Sequence, residues 1–418
     1  MVYCNKIMNR SIKKFTKFVR DPLWGNITLS DGIYEIVKSK EFRRLQNIKQ
    51  LGPTHILYPG AVHTRENHSL GVYHLSKKLL FSLLEKDTCP WITETGVYSF
   101  LCAALLHDIG HFPFTHSLKE LSTKTHESLT GDMILNDSLG QLIKKAGASP
   151  EMTAEIIDTG RNTKDEETLF FRKLLSGVLD PDKLDYLNRD AFFCGVPYGL
   201  QDTEYVLNSL LPSKEKGIEI LSKNIMSVEN ILFSKYLMYK SVYWHKTVRI
   251  ATGMMKKFLF EAVSSGEITF PRLYSMDDNE IKNFVIESKE EYASIGKDLF
   301  SGNIYPVVYE KKVLSPLKIE NLEERKKVET ELALKLRAKG FDCNYNDIII
   351  DIPENISFEA DLYVKDEGCF FPESSTVFTK EIIKEFTNSL RKVRIAVKNG
   401  HNIPDEIFFS IAQEVKLD

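Results

Sequence analysis

The sequence predicts a mainly α-helical protein that has a helical core and a smaller α+β region toward its C-terminal end. Apolar residues recur at helical spacing through most of residues 1–300. Strand-like runs begin only beyond that point, at residues 306–309, 347–352 and 360–364. A chain of 418 residues with 43% hydrophobic content can bury one large core and a smaller satellite. We therefore expect a helical domain over residues 1–300 and an α+β accessory region over residues 301–418, which is a candidate oligomer interface.

Net charge, cysteine spacing and the lengths of the apolar runs indicate which partners and which cellular compartment to expect. The formal net charge of -3 disfavours general nucleic-acid binding, although local basic patches leave that function open. The six cysteines are scattered without a C-x-x-C pair, which is typical of free thiols in a reducing cytosol. No apolar run reaches the roughly 18 to 20 residues of a membrane span, and the N-terminal residues lack the apolar core of a signal peptide. We expect a cytoplasmic protein without a membrane partner.

The first predicted helix begins at Ser30 or Asp31 and keeps its apolar spacing to Ile48. A break follows at Gly52-Pro53. Residues 49–51 lie at this break, where a ligand could approach. The basic residues of the helix predict ordinary solvated surface: Lys40, Arg43, Arg44 and Lys49.

The second predicted helix begins at Asn67 or Ser69 and continues to Leu83. It places His68 at its start, three residues after Arg65. A cation beside a metal ligand is reasonable where a phosphate lies between them, because a guanidinium binds phosphate oxygens with several donors. Taken alone, both residues would be ordinary surface.

Residues 101–116, LCAALLHDIGHFPFTH, carry the clearest chemical signal. An apolar helical run leads into His107-Asp108, and Gly110 and Pro113 end the helix. Where a helix ends, neighbouring side chains can turn toward one ion, and an imidazole with a carboxylate suits Mn, Fe, Zn, Ni or Mg. The alternative is that His107 caps the helix and Asp108 starts a turn.

The distribution of histidines favours the metal-binding interpretation. Eight of the ten lie in one part of the chain: His55, His63, His68, His74, His107, His111, His116 and His126. Histidines gathered in this way usually serve a metal or an anionic group, because a neutral imidazole ligates metals and a protonated one binds phosphate. We expect His55, His63 and His74 to be structural.

A predicted helix that starts near Pro181 carries polar residues at intervals of three and four: Asp182, Asp185, Tyr186, Arg189 and Asp190. Such a stripe is usually a solvated face with ion pairs, but its apolar neighbours also fit the wall of a polar cleft.

Residues 228–263 predict one long amphipathic helix whose aromatic residues mostly fill the core. Tyr243 and His245 are exceptions that suit a nucleotide pocket. Residues 320–339, 379–398 and 405–415 predict further helices.

The spacing of His68, His107-Asp108 and Asp182 forms the pattern H…HD…D, which resembles that of the HD superfamily of metal-dependent phosphohydrolases. The sequence segments around these residues resemble those of the deoxynucleoside triphosphate (dNTP) triphosphohydrolase branch. They are FRRLQNIKQLG, GAVHTRENHSLGVYHL, LLHDIGHFPFTHSLKE and DPDKLDYLNRD. The resemblance runs from about Asp21 to Lys257.

The resemblance implies an HD-domain helical core, a dNTP substrate, one divalent metal ion and a homo-oligomer, either a dimer or a tetramer. The implied metal ligands are His68, His107, Asp108 and Asp182. The implied catalytic residues are His116, as proton donor to the leaving oxygen, with His126 and Glu127 in support and His111 near the metal.

The resemblance also assigns the substrate contacts. Arg65 and Lys183 would bind phosphates, and Tyr186 and Asp190 would contact the sugar and its 3′-hydroxyl. The remaining implied contacts are Gln50 and Leu51, which exclude a 2′-hydroxyl, and Tyr243 and His245, near the base and sugar.

These residues leave three functions open. The first is hydrolysis of dNTPs to deoxynucleoside and triphosphate, in which the metal polarises the α-phosphate. The second is another phosphohydrolase activity on the same metal, either a nucleoside monophosphate phosphatase or a single-strand exonuclease. The third is a non-enzymatic nucleotide sensor that keeps the helical fold.

Overall fold

The computed structural model describes residues 15–86, 89–114, 124–313, 317, 319, 321–354, 356, 358–401 and 403–414. The helices in chain order are α1 (Asp31–Val37), α2 (Lys40–Arg43), α3 (Arg65–Glu85), α4 (Glu94–Leu106), α5 (His126–Ile134), α6 (Asp137–Lys145), α7 (Pro150–Ile157), α8 (Glu166–Leu175), α9 (Pro181–Cys194), α10 (Thr203–Ser209), α11 (Ile225–Met238), α12 (Lys246–Ser264), α13 (Phe270–Ser275), α14 (Asp278–Glu287), α15 (Ala293–Phe300), α16 (Leu322–Ala338), α17 (Lys380–Leu390) and α18 (Asp405–Glu414). The predicted fold class, mainly α with a small α+β part, is confirmed.

Three small sheets accompany the helices. The strands in chain order are β1 (Lys17–Asp21), β2 (Gly25–Leu29), β3 (Leu211–Ser213), β4 (Gly217–Ile220), β5 (Val307–Lys312), β6 (Ile348–Asp351), β7 (Tyr363–Val364), β8 (Cys369–Phe370) and β9 (Lys392–Val397). β1 and β2 form a hairpin, and β3-β4-β7-β8 form a four-stranded sheet in that order. In the three-stranded sheet β9 lies between β5 and β6 and is antiparallel to both.

The first two predicted helices differ from the observed ones, although the first starts at Ser30 as expected. The helix expected to continue to Ile48 is divided into α1, α2 and a 3-10 turn over Arg44–Asn47. The reason is a second cap, since the Ser39 hydroxyl accepts the Phe42 amide and draws the backbone out of the first helix. The next helix begins earlier than expected, because Thr64 caps it in a capping box with Asn67.

Two helix interiors were also predicted wrongly. The single helix expected over residues 228–263 is interrupted by a π-helical turn at Tyr239–Tyr243, and His245 then caps α12 through its Nδ1 atom. The helix expected over residues 379–398 ends at Leu390, and the following residues form β9. Pairing with β5 and β6 outweighs helical spacing there, because the alternating apolar residues of β9 are buried between two neighbours.

The largest core places the chemistry-bearing residues. It surrounds α3, which packs against both α4 and α9, and it extends over α7 and α8. A second core surrounds α12, α14 and α15, and a third lies between α16, α18 and the three-stranded sheet. The candidate ligands therefore come from the three helices at the centre of the largest core.

Segments beyond residue 300 join both of the earlier cores. Phe358, Leu362 and Phe371 belong to the first core, and Ile349 and Ala396 belong to the second. The division into residues 1–300 and residues 301–418 therefore stays a prediction. Within the described residues, no helix is both long and apolar enough to span a membrane.

Candidate metal centre and active site

Three helix ends bring the predicted metal ligands together. His68 lies in the first turns of α3, and Asp182 lies in the first turn of α9. α4 ends at Leu106, so His107 and Asp108 follow directly in a turn and both can face the same point. The predicted helix end at the His-Asp pair is thus confirmed.

The four side chains converge within a few ångströms. His68 Nε2 lies 2.9 Å from Asp182 Oδ1, and His107 Nε2 lies 3.9 Å from the same oxygen. Asp108 presents Oδ1 at 3.4 Å from His107 Nε2 and Oδ2 at 4.0 Å from His68 Nε2. Ligand atoms of His68, His107 and Asp182 all lie within 4.8 Å of one another, so one ion could bind them together.

The ring nitrogens of His107 show that a cation fits this cluster. His107 Nδ1 lies 2.9 Å from the Ala104 carbonyl oxygen, which can only accept, so Nδ1 carries the proton. The lone pair of Nε2 is therefore exposed to the carboxylates of Asp108 and Asp182, and this buried atom has no hydrogen-bond donor among the described residues. A bound cation would satisfy this lone pair and both carboxylates together.

A buried polar chain holds His68 from behind. His68 Nδ1 donates to Asp185 Oδ2 over 2.9 Å, and the same carboxylate accepts two bonds from Arg189, at 2.8 and 3.0 Å. Arg189 Nη1 also donates to Asp21 over 2.9 Å, and Trp24 Nε1 donates to Asp185. A carboxylate that accepts a hydrogen bond from one ring nitrogen of a histidine fixes the tautomer and the direction of the other nitrogen. Metal-binding histidines in general have such a partner.

Electrostatics match this arrangement. Burial lowers the pKa of His68, but hydrogen bonds to Asp182 and Asp185 outweigh it and raise the pKa to about 10. Burial raises the pKa of Asp185, yet Arg189 and His68 hold it below its ordinary value. Without a metal, the His68 imidazolium therefore carries a positive charge between the carboxylates of Asp182 and Asp185.

Asp108 is shared between the metal ligands and a second group of side chains. Its Oδ2 accepts from Arg65 Nη1 over 2.6 Å, and its Oδ1 lies 3.1 Å from His111 Nε2. The rings of His111 and His126 stack with centroids 4.0 Å apart. Although burial raises the pKa of Asp108, the charges of His111, His107 and Arg65 keep it well below its ordinary value.

Two residues that the sequence did not single out shape the turn after α4. Thr130 donates its hydroxyl to the His107 carbonyl over 3.1 Å and accepts the Gly110 amide over 3.0 Å. Arg44 was expected on solvated surface, but it donates to the carbonyls of Ile109 and His111. Burial lowers the pKa of Arg44 to about 10, with Asp277 acting in the opposite direction.

A cavity of about 460 Å³ opens over these ligands. It is lined by most of the predicted site residues: Gln50, Leu51, Arg65, His68, His107, Asp108, His111, His126, Asp182, Tyr186, Asp190 and Tyr243. It is also lined by basic residues without a predicted role: Lys49, Arg249 and Lys256. Asp182, Tyr186 and Asp190 of the polar stripe on α9 line the cavity, as one of the two interpretations of the sequence required, whereas Asp185 and Arg189 do not.

Asp190 is fixed at the cavity wall by two side chains. His63 Nε2 lies 2.8 Å from its Oδ1, and the Tyr243 hydroxyl donates to its Oδ2 over 2.7 Å. The His63 ring is buried and stacks on Phe193 with centroids 4.6 Å apart. His63 was expected to be structural, and its position shows that it orients a residue of the cavity.

Some predicted site residues lie elsewhere. Lys183 does not line the cavity, since its ammonium bonds to Asp180 over 2.7 Å and to Glu359 over 3.0 Å. His245 caps α12 and is not part of the lining. Glu127 also lies outside it, beside the cavity residue His126 with Oε1 at 3.2 Å from Nε2. The predicted proton donor His116 lies outside the described residues.

Comparison with known proteins places the chain in a family. Residues 65–183 match the family described as HD domain, and residues 202–379 match the HD associated region. An uncharacterized protein of Methanocaldococcus jannaschii is 33% identical over 362 residues, which are 84% of this chain and 73% of that one. The chain belongs to the HD-domain phosphohydrolase family. The first match begins at Arg65 and ends at Lys183, so it contains every ligand of the candidate metal centre.

Two further proteins are similar to the chain over most of its length. A deoxynucleoside triphosphate triphosphohydrolase of Bos taurus is 24% identical over 400 residues, which are 86% of this chain and 67% of that one. The crystal structure of a hypothetical protein from Aquifex aeolicus has a TM-score of 0.73 at 26% identity, and the match covers 96% of this chain and 100% of that one. The α+β region is therefore part of the shared architecture.

Proposed function

We propose that this HD-domain protein hydrolyses deoxynucleoside triphosphates to a deoxynucleoside and inorganic triphosphate. The observation that carries the proposal is the shared cavity, because the four candidate metal ligands and six of the eight candidate substrate contacts line it together. Its volume of about 460 Å³ is in the usual range for a small-molecule site. The similarity to a named dNTP triphosphohydrolase from Bos taurus supports this substrate class.

The metal would be held by His68, His107, Asp108 and Asp182. Two imidazoles and two carboxylates balance the charge of a divalent cation, and Mn, Fe, Zn, Ni and Mg remain candidates. When bound, the ion supplies Lewis acidity toward a phosphoryl oxygen of the substrate.

Arg65 is the residue that we propose for the phosphate end. Its Nη1 is occupied by Asp108, but its buried Nε atom has no hydrogen-bond partner among the described residues. A phosphate oxygen would satisfy that donor and would bring the phosphate beside the metal ligands. Lys183 can take part only if its ammonium exchanges the Glu359 carboxylate for phosphate, since both Asp180 and Glu359 bind it in the structure.

Gln50, Asp190 and Tyr243 would bind the sugar. The Oε1 atom of Gln50 is buried at the cavity and has no donor among the described residues, so a substrate hydroxyl suits it. The Asp190 carboxylate, already oriented by His63 and Tyr243, would accept the 3′-hydroxyl. Leu51 would fill the space that a 2′-hydroxyl needs, and Tyr186 would form the adjacent wall.

The departing 5′-oxygen needs a proton, and we propose that His116 donates it with help from His126 and Glu127. A histidine that titrates near neutrality is suited to this task. The Glu127 carboxylate lies 3.2 Å from His126 Nε2, so it can stabilise the protonated imidazole. We also propose that the chain forms dimers or tetramers through the α+β region and that His245 lies near the bound base and sugar.

A nucleotide screen with product identification tests this function. Each dNTP is incubated with the purified protein and Mn or Mg, and the products are separated by anion exchange. We expect deoxynucleoside and triphosphate, and we expect His107→Ala to abolish both. His55→Ala is the matched control, because His55 is partly exposed and is not part of the cavity lining.

Other results of this screen would indicate a different function. Orthophosphate from deoxynucleoside monophosphates, or shortening of a labelled single strand, would identify another phosphohydrolase on the same metal. Nucleotide binding without turnover, at full metal occupancy, would identify a sensor.

A further inference from the structure

Three metal-ligating side chains meet at one end of the three-stranded sheet, away from the cavity. Cys343 and Asp347 lie on the connection between α16 and β6, and His401 follows β9 after a turn at Gly400. β6 and β9 pair with Ile348 opposite Val397, so the start of one strand meets the end of the other. The Lys398 amide donates to the Asp347 carbonyl over 2.8 Å and ties the two segments together.

The distances between these side chains suit coordination better than hydrogen bonding. Potential ligand atoms of Cys343, Asp347 and His401 all lie within 4.8 Å of one another. His401 Nε2 lies 3.5 Å from Asp347 Oδ2, which is long for a charge-assisted hydrogen bond. Two ligands of a tetrahedral zinc ion at about 2.1 Å each are separated by about 3.4 Å. The pair thus has the spacing that a shared ion requires.

Burial and support also fit a metal site. Cys343 is fully buried, and its thiol has only a weak contact with the Asn344 carbonyl, at 3.8 Å, among the described residues. Asp347 Oδ2 accepts the Asn344 amide over 2.9 Å, which fixes the direction of the carboxylate. The capping turn around Asn344 explains this backbone contact of Asp347. It does not explain why an imidazole and a thiol approach the same carboxylate.

We propose that Cys343, Asp347 and His401 form a second metal site, which binds zinc or a similar divalent transition-metal ion. A thiolate, an imidazole and a carboxylate are a common ligand set for zinc, whereas Mg²⁺ and Ca²⁺ prefer oxygen ligands. Water would complete the coordination, because the His401 side chain is partly exposed. The Cys343 thiol releases its proton to solvent as the metal binds.

This site would have a structural role that is independent of the proposed hydrolysis. None of its three residues lines the cavity, and Cys343 belongs to the third core. A bound ion would join the start of β6 to the segment after β9 and would hold the end of the sheet closed. Loss of the ion should therefore lower stability without removing the other metal.

Cobalt(II) separates the two metal sites by their absorption. A thiolate ligand gives an intense sulfur-to-cobalt charge-transfer band in the near ultraviolet, and the HD-domain ligands contain no sulfur. We expect this band in the cobalt-loaded full-length protein. Cys343→Ser should abolish it, whereas Cys369→Ser, which changes another free cysteine, should keep it. His107→Ala should also keep it, because it affects only the site in the cavity.

Metal content gives a second measurement. After loading with zinc and dialysis, we expect His401→Gln to retain one zinc equivalent fewer per chain than the unaltered protein. His401 is partly exposed, so this variant should fold even where Cys343→Ser does not. Cobalt bound without a charge-transfer band, a band that persists in folded Cys343→Ser, or unchanged zinc content in His401→Gln would overturn the proposal.

Discussion

Single side chains behind the ligands determine how the candidate metal centre is held. Asp185 is the main example, because it contacts His68, Arg189 and Trp24 and is fully buried. Asp185, Arg189 and Trp24 do not line the cavity, yet they fix the direction in which His68 Nε2 points. The position of a ligand is thus set by residues that come from a hairpin and a helix far away in the chain.

Asp185→Asn tests this positioning role. The amide keeps the shape of the side chain but cannot stabilise the His68 imidazole with a negative charge, so metal affinity should fall by about 10- to 100-fold. Arg189 loses one of its two carboxylates, which should lower the free energy of unfolding by about 3 kcal/mol. Metal titration and denaturant unfolding measure the two effects. The control is Asp137→Asn, which changes an exposed carboxylate in the first turn of α6 and should alter neither the metal affinity nor the free energy of unfolding. Equal metal affinity in Asp185→Asn and Asp137→Asn would contradict the positioning role of Asp185.

His63→Leu tests the orientation of Asp190. If Asp190 accepts the 3′-hydroxyl of a dNTP, loss of the His63 contact should raise KM for the dNTP about tenfold and leave kcat nearly unchanged. A 2′,3′-dideoxy substrate lacks that hydroxyl and should show little change. Steady-state kinetics on both substrates, with Tyr243→Phe as a second variant that removes the other donor, measures the difference. A KM that rises equally for both substrates would argue against this role.

At the level of elements, the site depends on how closely three helices approach. Gly71 on α3 faces α9, and a Cβ atom there would lie 1.9 Å from Asp185 Oδ1 and 2.5 Å from Arg189 Nη2. Only glycine leaves room for the carboxylate to reach His68 from this side. The buried hydrogen bonds of Asp185 and Arg189 behind the metal ligands therefore explain why glycine occupies position 71.

Gly71→Ala should disturb both stability and the metal centre. The new methyl group must push Asp185 or α9 away, so we expect lower metal affinity and a lower midpoint of thermal unfolding. Gly266→Ala is the matched control, since it lies after α12 at a φ of +78° with nothing within 4 Å of its Cβ. Gly266→Ala should lower the free energy of unfolding by about 1 kcal/mol, because alanine is strained in this backbone conformation, and it should keep full metal affinity. Full metal affinity in Gly71→Ala would show that α3 and α9 can separate without cost.

At the level of the whole molecule, the segments after residue 300 complete the cavity. Arg249 lines the cavity and is held by Asp351 of β6, with its Nε donating over 3.0 Å. Glu354 and Ile356 form part of the lining directly. The α+β region therefore contributes to the site as well as to the cores.

Truncation after residue 300 tests whether the helical region can fold alone. The shortened chain loses Phe358, Leu362 and Phe371 from the first core and β6 from the second. We expect it to aggregate or to lose near-ultraviolet circular dichroism, because large apolar surfaces would be exposed. A cooperative unfolding transition close to that of the full-length protein would instead establish residues 1–300 as an independent domain.

The sequence predicted the features that depend on neighbouring residues and missed those that depend on partners far away in the chain. The ligand pattern was readable because each ligand lies at a helix end marked by its own neighbours. Asp185 and Arg189 were visible only as a polar stripe whose direction depends on packing. The roles of Arg44, Thr130 and Asp21 were invisible, since each depends on a partner more than 20 residues away or on a carbonyl group with no sequence signature. The end of α17 was missed because pairing with other strands decides it.

The most direct test of the central claim is a crystal structure of the protein loaded with Mn²⁺, with anomalous scattering to locate the metal. We predict one strong anomalous peak in the cavity, about 2.0 to 2.2 Å from the Nε2 atoms of His68 and His107 and from carboxylate oxygens of Asp108 and Asp182. The same crystals of Asp182→Ala should lack it. A peak held instead by Asp108, His111 and His126, or no peak in the cavity at saturating Mn²⁺, would contradict the assignment of the metal centre and the hydrolysis proposed from it.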